Sequence, residues 1–497
     1  MDAERWPDRQ VAPFAPASLR QGILWNTAGQ IAARVLNLLF ILFLARLVAP
    51  RDFGLVAIGI AVIGFVSVIT DIGVGSALVQ RQQAIRENAS AAFYMNALTA
   101  FLFAGVLLLL SGTIAGYYGQ PTVRRLLPLL TATFLIRGSM AVHEAYLRKR
   151  MLFRRLQLIN IASVVAYGGV AVPLAWWGAG AWSLAWGLLA GSCTYAGLVL
   201  AGSGMPLSLS PHLPHWRGLF VYGRWVFLGG VATWLLQTGD NLAVGKFLGP
   251  ADLGAYALAY SYGLLPFMLI GGAIAQAMFP AYSRLQEDRD QLQALVMKIV
   301  RMSAVVSLPI AGAFLFAAGD VLVALLGPKW TQAGPPFRVF AVVFTAGMFT
   351  ASFPRVYDAL NRPIINLYIA LAALPVMVAG TAIGLQFGVL GVALGISAMM
   401  IELSGLQVFA VSRTTGLSIR TIMGGVWPPA VCAGLGIGAA MLPSLLLRAD
   451  LPSLAVDAVA SLVMLGVYVL GLRRFFPSRW SEALSQGRAV LAGSRSV

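Results

Sequence analysis

The chain consists of long apolar segments separated by short polar turns that contain Pro, Gly or charged residues. Most segments reach the 20 or so residues that a helix needs to cross the hydrocarbon core of a bilayer. The pattern predicts about fourteen transmembrane helices, an even number that places both termini on one side. The predicted helices lie near residues 20–46, 53–79, 88–116, 121–146, 156–178, 181–202, 217–246, 252–281, 292–318, 333–357, 363–385, 388–411, 420–447 and 454–473.

Composition agrees with an all-α polytopic membrane protein. Of the 497 residues, 59% are hydrophobic and only 11% are charged, whereas soluble domains carry about a quarter charged residues. Cys193 and Cys432 fall within apolar segments far apart in the sequence, which argues against a disulfide framework or a metal site. No catalytic residue, metal or cofactor is therefore expected.

The distribution of Lys and Arg predicts the orientation of the chain. If the N-terminus is cytoplasmic, 25 of the 35 basic residues fall in cytoplasmic segments. This bias is the positive-inside signature, so both termini are expected in the cytoplasm. It also explains the net charge of +17, because the excess lies in short loops next to anionic lipid headgroups. Membrane lipids are thus expected partners, and nucleic acid is not.

A short sequence pattern occurs twice, 200 residues apart. Residues 45–59 (ARLVAPRDFGLVAIG) align with residues 245–259 (GKFLGPADLGAYALA), and both contain Pro-x-Asp-x-Gly between two predicted helices. Such residues are common in turns and could recur by chance. Their shared spacing and flanking charge, six helices apart, favour an internal duplication into parallel repeats.

The duplication predicts two pseudo-symmetric six-helix lobes, residues 20–202 and 217–411, followed by two further helices in residues 420–473. Two lobes of this kind suit alternating access around a central site. The predicted remainder is a cytoplasmic N-terminal tail, an inter-lobe linker and a cytoplasmic C-terminal tail, at residues 1–19, 203–216 and 474–497.

Polar residues recur along one face of the first predicted helix. Asn26, Gln30, Arg34 and Asn37 follow helical spacing on an otherwise apolar segment. An Arg at the centre of a bilayer costs about 3 kcal/mol on insertion scales, so this stripe should face protein or water. Gln237 is the repeat equivalent of Asn37, and the two stripes are expected to line a cavity.

Gln237 is expected to share one face of the seventh predicted helix with Thr233 and Asp240. Gly391 and Gly395 have the small-xxx-small spacing typical of helix packing. Arg137 and Glu144 lie seven residues apart, which places them on one helical face. Each buried charge is either an internal structural partner, or a substrate contact or ion carrier. The ionisable residues expected within the membrane, besides Arg34, are Asp71, Arg137, Glu144, Asp240 and Glu402.

Several segments resemble a known family. They are residues 25–27 (WNT), 45–54 (ARLVAPRDFG), 71–80 (DIGVGSALVQ), 249–254 (GPADLG) and 279–286 (FPAYSRLQ). Together with the helix count, they are similar to the polysaccharide-transport flippases of the multidrug/oligosaccharidyl-lipid/polysaccharide exporter superfamily. These motifs mark the fold and the family rather than the substrate.

The resemblance implies a transporter rather than an enzyme. Members of the family move undecaprenyl-diphosphate-linked oligosaccharides from the cytoplasmic to the outer leaflet of the bacterial inner membrane, for O-antigen, capsule or exopolysaccharide synthesis. A polysaccharide polymerase and export machinery are the further partners implied.

Residue roles follow from an anionic substrate of this kind. Arg34 and Arg137 are the candidates for binding the diphosphate in a cationic central cavity, because Arg matches phosphate geometry. Asn26, Gln30, Asn37 and Gln237 are candidates for binding sugar hydroxyls. The candidates for coupling to a proton or sodium gradient are Asp71, Asp240, Glu144 and Glu402.

Two other functions fit part of the pattern. A multidrug antiporter of the same superfamily would have the same lobes, but its cavity should favour acidic residues that attract cations. A membrane glycosyltransferase, polymerase or ligase generally needs a large outer loop or a carboxylate pair near the membrane surface. The sequence offers few candidates for either feature, so the flippase is the preferred interpretation.

Overall fold

A computed structural model describes residues 16–70, 85–150, 152–203, 216–447 and 452–491. These residues form helices joined by short turns, and none of them lies in a β-strand. The prediction of an all-α membrane protein is confirmed. The α-helices are α1 (Pro16–Leu47), α2 (Pro50–Thr70), α3 (Ile85–Tyr118), α4 (Pro121–Ser139), α5 (Ala141–Lys149), α6 (Phe153–Trp176), α7 (Ala181–Ser203), α8 (Trp216–Phe247), α9 (Pro250–Gly263), α10 (Gly272–Arg284), α11 (Arg289–Leu326), α12 (Gly334–Ala346), α13 (Phe353–Ala359), α14 (Ile364–Gly384), α15 (Gly388–Thr415), α16 (Ile419–Leu446), α17 (Ser453–Phe475) and α18 (Pro477–Leu491).

Twelve segments of the described residues are long and apolar enough to cross a membrane. One of them, Ile364–Thr415, contains both α14 and α15, which are separated by the short 3₁₀ segment Leu385–Phe387. Another, Pro121–Arg148, contains α4 and nearly all of α5. The total of fourteen crossings stays a prediction.

The chain divides into two compact units. The first contains the described residues up to Val48 and from Gly59 to Val231; the second contains residues 49–58 and those from Ala232 onward. Helix α2 therefore begins in the second unit and continues into the first. The predicted lobe boundaries stay predictions, since residues 204–215 of the linker predicted at 203–216 lie outside the described residues.

The core of the first unit includes buried side chains from α5, α6 and α7. Tyr195 of α7 is 1% exposed and packs with Leu147, Leu156 and Val199. A large aromatic side chain in this position fixes α7 against the shorter helix α5, because every change in its orientation would open a void.

In the second unit, α14 and α15 pack through glycines. A Cβ added to Gly391 would lie 2.3 Å from the carbonyl oxygen of Gly384, and one added to Gly395 would lie 2.1 Å from that of Gly380. Only residues without a side chain permit this approach of two helices. The interpretation of Gly391 and Gly395 as helix-packing residues is confirmed.

The two Pro-x-Asp-x-Gly turns also meet within the second unit. A Cβ added to Gly54 would lie 1.7 Å from the carbonyl oxygen of Pro250, and one added to Gly254 would lie 1.9 Å from that of Pro50. Each added Cβ would also lie 3.0 Å from the amide nitrogen of the other glycine. Equivalent positions of the two sequence copies thus make equivalent contacts, as a duplicated turn would produce. We call this the glycine contact.

An aromatic pair packs next to the glycine contact. Trp330, in a short 3₁₀ segment (Pro328–Ala333), is fully buried. Its ring centroid lies 5.3 Å from that of Phe53, in an edge-to-face arrangement. The residue before Gly54 is therefore held by a buried ring, which restricts how far the first turn of α2 can move.

Candidate functional site

The polar stripe of α1 is anchored at its cytoplasmic end, in the predicted orientation. Gln157 Nε2 on α6 donates a hydrogen bond to Asn26 Oδ1 at 2.9 Å. A Cβ added to Gly29 would lie 2.4 Å from Gln157 Cβ, so α1 approaches α6 closely at this point. The amide oxygen of Asn26 thus already accepts a hydrogen bond from another helix. Gln157 was not predicted as a site residue, because a single Gln next to a basic cluster shows no periodicity.

The rest of the stripe consists of three partly exposed polar side chains. Gln30, Arg34 and Asn37 are half-buried. Arg34 lies within the apolar span Ala28–Leu47 and forms no salt bridge with the described residues. A guanidinium without a carboxylate partner inside a membrane span is a strong attractor for an anion.

Arg137 lies on Tyr195 at the end of α4. Its Cζ atom is 4.5 Å from the ring centroid of Tyr195, which is the geometry of a cation–π contact. The guanidinium is exposed, and it forms no salt bridge within the described part of the chain. Like Arg34, it therefore carries a positive charge that no carboxylate among the described residues neutralises.

Glu144 meets the same tyrosine from another side. The Tyr195 hydroxyl donates a hydrogen bond to Glu144 Oε2 at 2.6 Å, and Arg148 Nη2 donates to Glu144 Oε1 at 2.5 Å. The helix is interrupted at Met140, between α4 and α5. Their spacing had predicted that Arg137 and Glu144 share one face of a single helix, and this prediction is wrong. The two residues nevertheless contact the same side chain of α7. Sequence reasoning missed Tyr195, whose only signal is a hydroxyl in an apolar segment.

Asp240 on α8 is buried in the second unit, with 1% exposure. Its Oδ2 accepts a hydrogen bond from the Tyr256 hydroxyl, and its Oδ1 accepts one at 2.8 Å from the backbone N–H of Asn241. Tyr256 is itself fully buried, 5.5 Å from the ring of Phe340. A carboxylate in such apolar surroundings needs these donors, because burial without hydrogen bonds is costly.

The structure separates the residues that were expected on one face of α8. Thr233 and Gln237 are exposed, whereas Asp240 is turned into the protein. The 3.6-residue period places Gln237 and Asp240 about 60° apart, and the packing of α9 decides which of them is covered. Gln237 is therefore exposed on the surface of α8, whereas Asp240 is enclosed within the protein.

The two other candidate carboxylates are Glu402 and Asp71, of which the structure describes only Glu402. Glu402 on α15 is half-buried, and its Oε2 atom is buried without a hydrogen-bond partner. Asp71 lies outside the described residues. Among the described residues, no group of three or more His, Cys, Asp or Glu side chains could hold a metal ion.

An apolar cleft of about 300 Å³ lies between α3 and α4. Its α4 residues follow helical spacing on the side away from Arg137. The cleft is therefore not continuous with the charged groups described above. Its lining residues are Ala97, Ala100, Phe101, Ala132, Leu135, Ile136 and Ser139.

Comparison with known proteins assigns the chain to a family. The sequence profile of the family described as "Polysaccharide biosynthesis protein" matches residues 43–335, which is more than half of the chain. The chain belongs to this family. The resemblance stated from the sequence is thereby confirmed.

Relatives match this family member over most of its length. The lipopolysaccharide biosynthesis protein WzxC of Escherichia coli (strain K12) is 22% identical over 419 residues, 82% of this chain and 84% of WzxC. The succinoglycan biosynthesis transport protein ExoT of Rhizobium meliloti (strain 1021) is 24% identical over 332 residues, 65% of this chain and 66% of ExoT.

Among solved structures, the lipid II flippase MurJ in an inward closed conformation superposes with a TM-score of 0.73. The alignment covers 92% of this chain and 99% of MurJ, at 15% sequence identity. This likeness shows a shared two-lobed helical fold.

Proposed function

We propose that this member of the polysaccharide biosynthesis family is a flippase for lipid-linked oligosaccharides. It would move undecaprenyl-diphosphate-linked repeat units from the cytoplasmic to the outer leaflet of the bacterial inner membrane, by alternating access. The family profile carries the proposal. The names of WzxC and ExoT, in lipopolysaccharide and succinoglycan biosynthesis, support it. The protein acts as a transporter, and its substrate is not chemically changed.

Arg34 and Arg137 are the proposed contacts for the diphosphate. Both belong to the first unit, and both are free of carboxylate partners among the described residues. Arg34 lies about 20 Å along α1 from Leu47, and Arg137 about 24 Å along α4 from Pro121, at 1.5 Å per residue. In the predicted orientation both distances start at the outer surface, so the two guanidinium groups are at similar depths.

The polar amides are proposed to bind the glycan. Gln30, Asn37 and Gln237 retain side chains that can hydrogen-bond sugar hydroxyls, since none is fully buried. Asn26 is a weaker candidate because Gln157 already occupies its carbonyl oxygen. The orientation with both termini in the cytoplasm and contacts with a polymerase or export machinery are further parts of the proposal.

For ion coupling, we select Asp240 over the other carboxylates. A coupling group must gain and lose an ion while the surrounding helices move. Asp240 connects α8 to α9 through Tyr256, so a change in its charge acts directly on the contact of two helices. Glu144 has both oxygens engaged. Asp71 lies outside the described residues. Glu402 forms no described hydrogen bond through its buried Oε2 atom, so nothing in the described part of the protein connects its charge to a second helix.

The function is tested by deleting the gene and identifying the lipid-linked species that accumulate. We expect complete repeat units on undecaprenyl diphosphate in the inner leaflet, and restored export when the wild-type chain is supplied. Incomplete sugars would indicate a glycosyltransferase. Complete units stranded in the outer leaflet would indicate a polymerase or ligase, and either result contradicts the proposal.

Replacing either arginine is expected to impair transport without unfolding the protein. Arg34→Ala and Arg137→Ala each remove charge-assisted hydrogen bonds worth roughly 1.5–3 kcal/mol, so transport should fall by about 10- to 100-fold. Arg→Lys should recover only part of the loss, because Lys lacks the planar fork. The measurement is transfer of lipid-linked oligosaccharide in proteoliposomes.

The matched control for this test is Arg355→Ala. Arg355 is an exposed arginine that pairs with Asp358 at 2.9 Å on the same helix, a surface ion pair of small energetic weight. It should transport as the wild type does. Full transport by a well-inserted Arg34→Ala or Arg137→Ala variant would contradict the role assigned to that residue.

A further inference from the structure

Tyr195 joins two charged side chains that sequence spacing had suggested as a pair. The guanidinium of Arg137 lies over the face of its ring, and its hydroxyl donates to Glu144. Arg137 and Glu144 form no salt bridge with each other. One buried ring therefore keeps the two opposite charges apart while contacting both.

This arrangement restricts Arg137. A free Arg side chain has many rotamers, and binding an anion requires that most of them be given up. A cation–π contact with a ring that is 1% exposed restricts the position of the guanidinium before a ligand arrives. A cation–π contact does not use up the N–H groups as hydrogen-bond donors to oxygen, so they remain able to donate to phosphate oxygens.

The position of Tyr195 is fixed in turn. Its hydroxyl is bound to Glu144 at 2.6 Å, and Arg148 holds the other oxygen of Glu144 at 2.5 Å. A carboxylate with both oxygens accepting hydrogen bonds is suited to holding a neighbour in place. It is poorly suited to exchanging an ion in each transport cycle.

We propose that Tyr195 is a positioning residue that orients Arg137 for the diphosphate and separates it from Glu144, and that Glu144 acts through Tyr195 rather than as an ion carrier. The inference rests on the proposed function, because it assumes that Arg137 binds an anionic lipid. Without the ring, Glu144 would be free to pair with Arg137 and neutralise it. Loss of Tyr195 would then resemble loss of Arg137.

The test measures binding by the full-length protein in detergent. The probe is undecaprenyl diphosphate, and undecaprenol, which lacks the phosphates, is the reference ligand. Arg137→Ala is expected to raise the Kd for undecaprenyl diphosphate about tenfold or more and to leave the Kd for undecaprenol unchanged. Tyr195→Leu should have nearly the same effect, and Tyr195→Phe, which keeps the ring, a smaller one.

Two double variants separate positioning from a structural role. In the Arg137→Ala background, Tyr195→Leu should cause no further loss of affinity, since the residue it positions is gone. Adding Glu144→Gln to Tyr195→Leu should restore part of the affinity, because the competing charge is removed. Glu144→Gln alone keeps an acceptor for the Tyr195 hydroxyl but loses the charge that strengthens this hydrogen bond, so its Kd should rise by less than that of Tyr195→Leu. Its response to an ion gradient should be unchanged.

Additive losses in the double variant, or equal losses for undecaprenol, would overturn the proposal and assign Tyr195 a purely structural role. Loss of ion-driven transport in Glu144→Gln would overturn the assignment of Glu144. If Tyr195→Leu does not fold, Tyr195→Phe and Glu144→Gln still decide the outcome. Wild-type binding of undecaprenyl diphosphate no tighter than of undecaprenol would contradict the proposed function itself. Wild-type affinity in Arg137→Ala would overturn the diphosphate role of Arg137 and the positioning inference with it, but not the flippase function.

Discussion

Alanine at Gly54 or Gly254 is expected to destabilise the folded protein by about 3 kcal/mol or more, the upper part of the range for overpacking. The new methyl group would lie 1.7 Å or 1.9 Å from a backbone carbonyl oxygen of the other turn. Ordinary contacts of a Cβ atom exceed 3 Å, so the two backbones must separate by more than 1 Å. Backbone atoms, unlike the end of a flexible side chain, cannot move aside locally. Thermal unfolding of the purified protein in detergent measures the effect.

Gly272→Ala is the matched control. Gly272 also lies in the first turn of a helix in the second unit, but a Cβ added there meets no atom within 4 Å. Alanine at such a site normally stabilises a helix by about 0.5–1 kcal/mol, so its melting temperature should be unchanged or higher. The double variant Gly54→Ala/Gly254→Ala should lose less than the sum of the single variants, because the first substitution already separates the turns. Equal melting of Gly54→Ala and Gly272→Ala would contradict the glycine contact.

The sequence predicted two equivalent Pro-x-Asp-x-Gly segments between helices. It predicted neither that they form the first turns of α2 and α9 nor that they contact each other. Pro-x-Asp-x-Gly was interpreted as turn chemistry, in which glycine provides an unusual backbone conformation. Gly54 and Gly254 do not have positive φ angles, so the absence of a side chain, rather than backbone freedom, is what the structure requires. Which surface a turn meets depends on the packing of helices far apart in the chain, and no local pattern records it. The alignment of the two copies was nevertheless the signal that could have suggested a mutual contact.

In the candidate site, too, the sequence predicted individual residues but not the contacts that packing creates between them. Charged residues in apolar segments stand out in a sequence because burial makes them costly, and Arg34, Arg137 and Asp240 were found in this way. Their partners Tyr195 and Tyr256 were not found. A tyrosine is compatible with an apolar helix, so it produces no exception in the hydropathy pattern. Its partner is fixed only when two helices pack, and for Arg137 the interruption of the helix at Met140 also changes which side chains meet.

Glu144 and Asp240, two of the candidate carboxylates, differ in the partners that bind them. Glu144 is bound by two side chains, one of them the exposed Arg148, and lies at the end of a chain of contacts that leads to Arg137. Asp240 is bound by one hydroxyl and one backbone N–H in an aromatic environment, with no cationic side chain paired to it in the described part of the protein. A negative charge without a countercharge in a buried site is stabilised by binding a proton or a cation. Of the two, Asp240 therefore has the environment that an ion carrier requires.

Asp240→Asn is expected to abolish the response of transport to an ion gradient while leaving the fold intact. Asn keeps an acceptor for the Tyr256 hydroxyl and removes the group that binds the ion, so the contact of α8 with α9 should persist. In proteoliposomes, transfer driven by an imposed proton or sodium gradient should fall at least about tenfold, a change of roughly 1.4 kcal/mol or more. Exchange of lipid-linked oligosaccharide without a gradient should continue.

Tyr256→Phe tests the contribution of the Tyr256 hydroxyl independently of the Asp240 carboxylate. It keeps the buried ring beside Phe340 but leaves Asp240 with a single hydrogen-bond donor, so the gradient response should be reduced rather than lost. Asp252→Asn is the matched control, since Asp252 lies in the first turn of α9 and outside this contact. A gradient response of wild-type size in Asp240→Asn would show that Asp240 serves only as an acceptor for Tyr256. Coupling would then have to be sought at Asp71 or Glu402, because Glu144 is already committed to Tyr195 and Arg148.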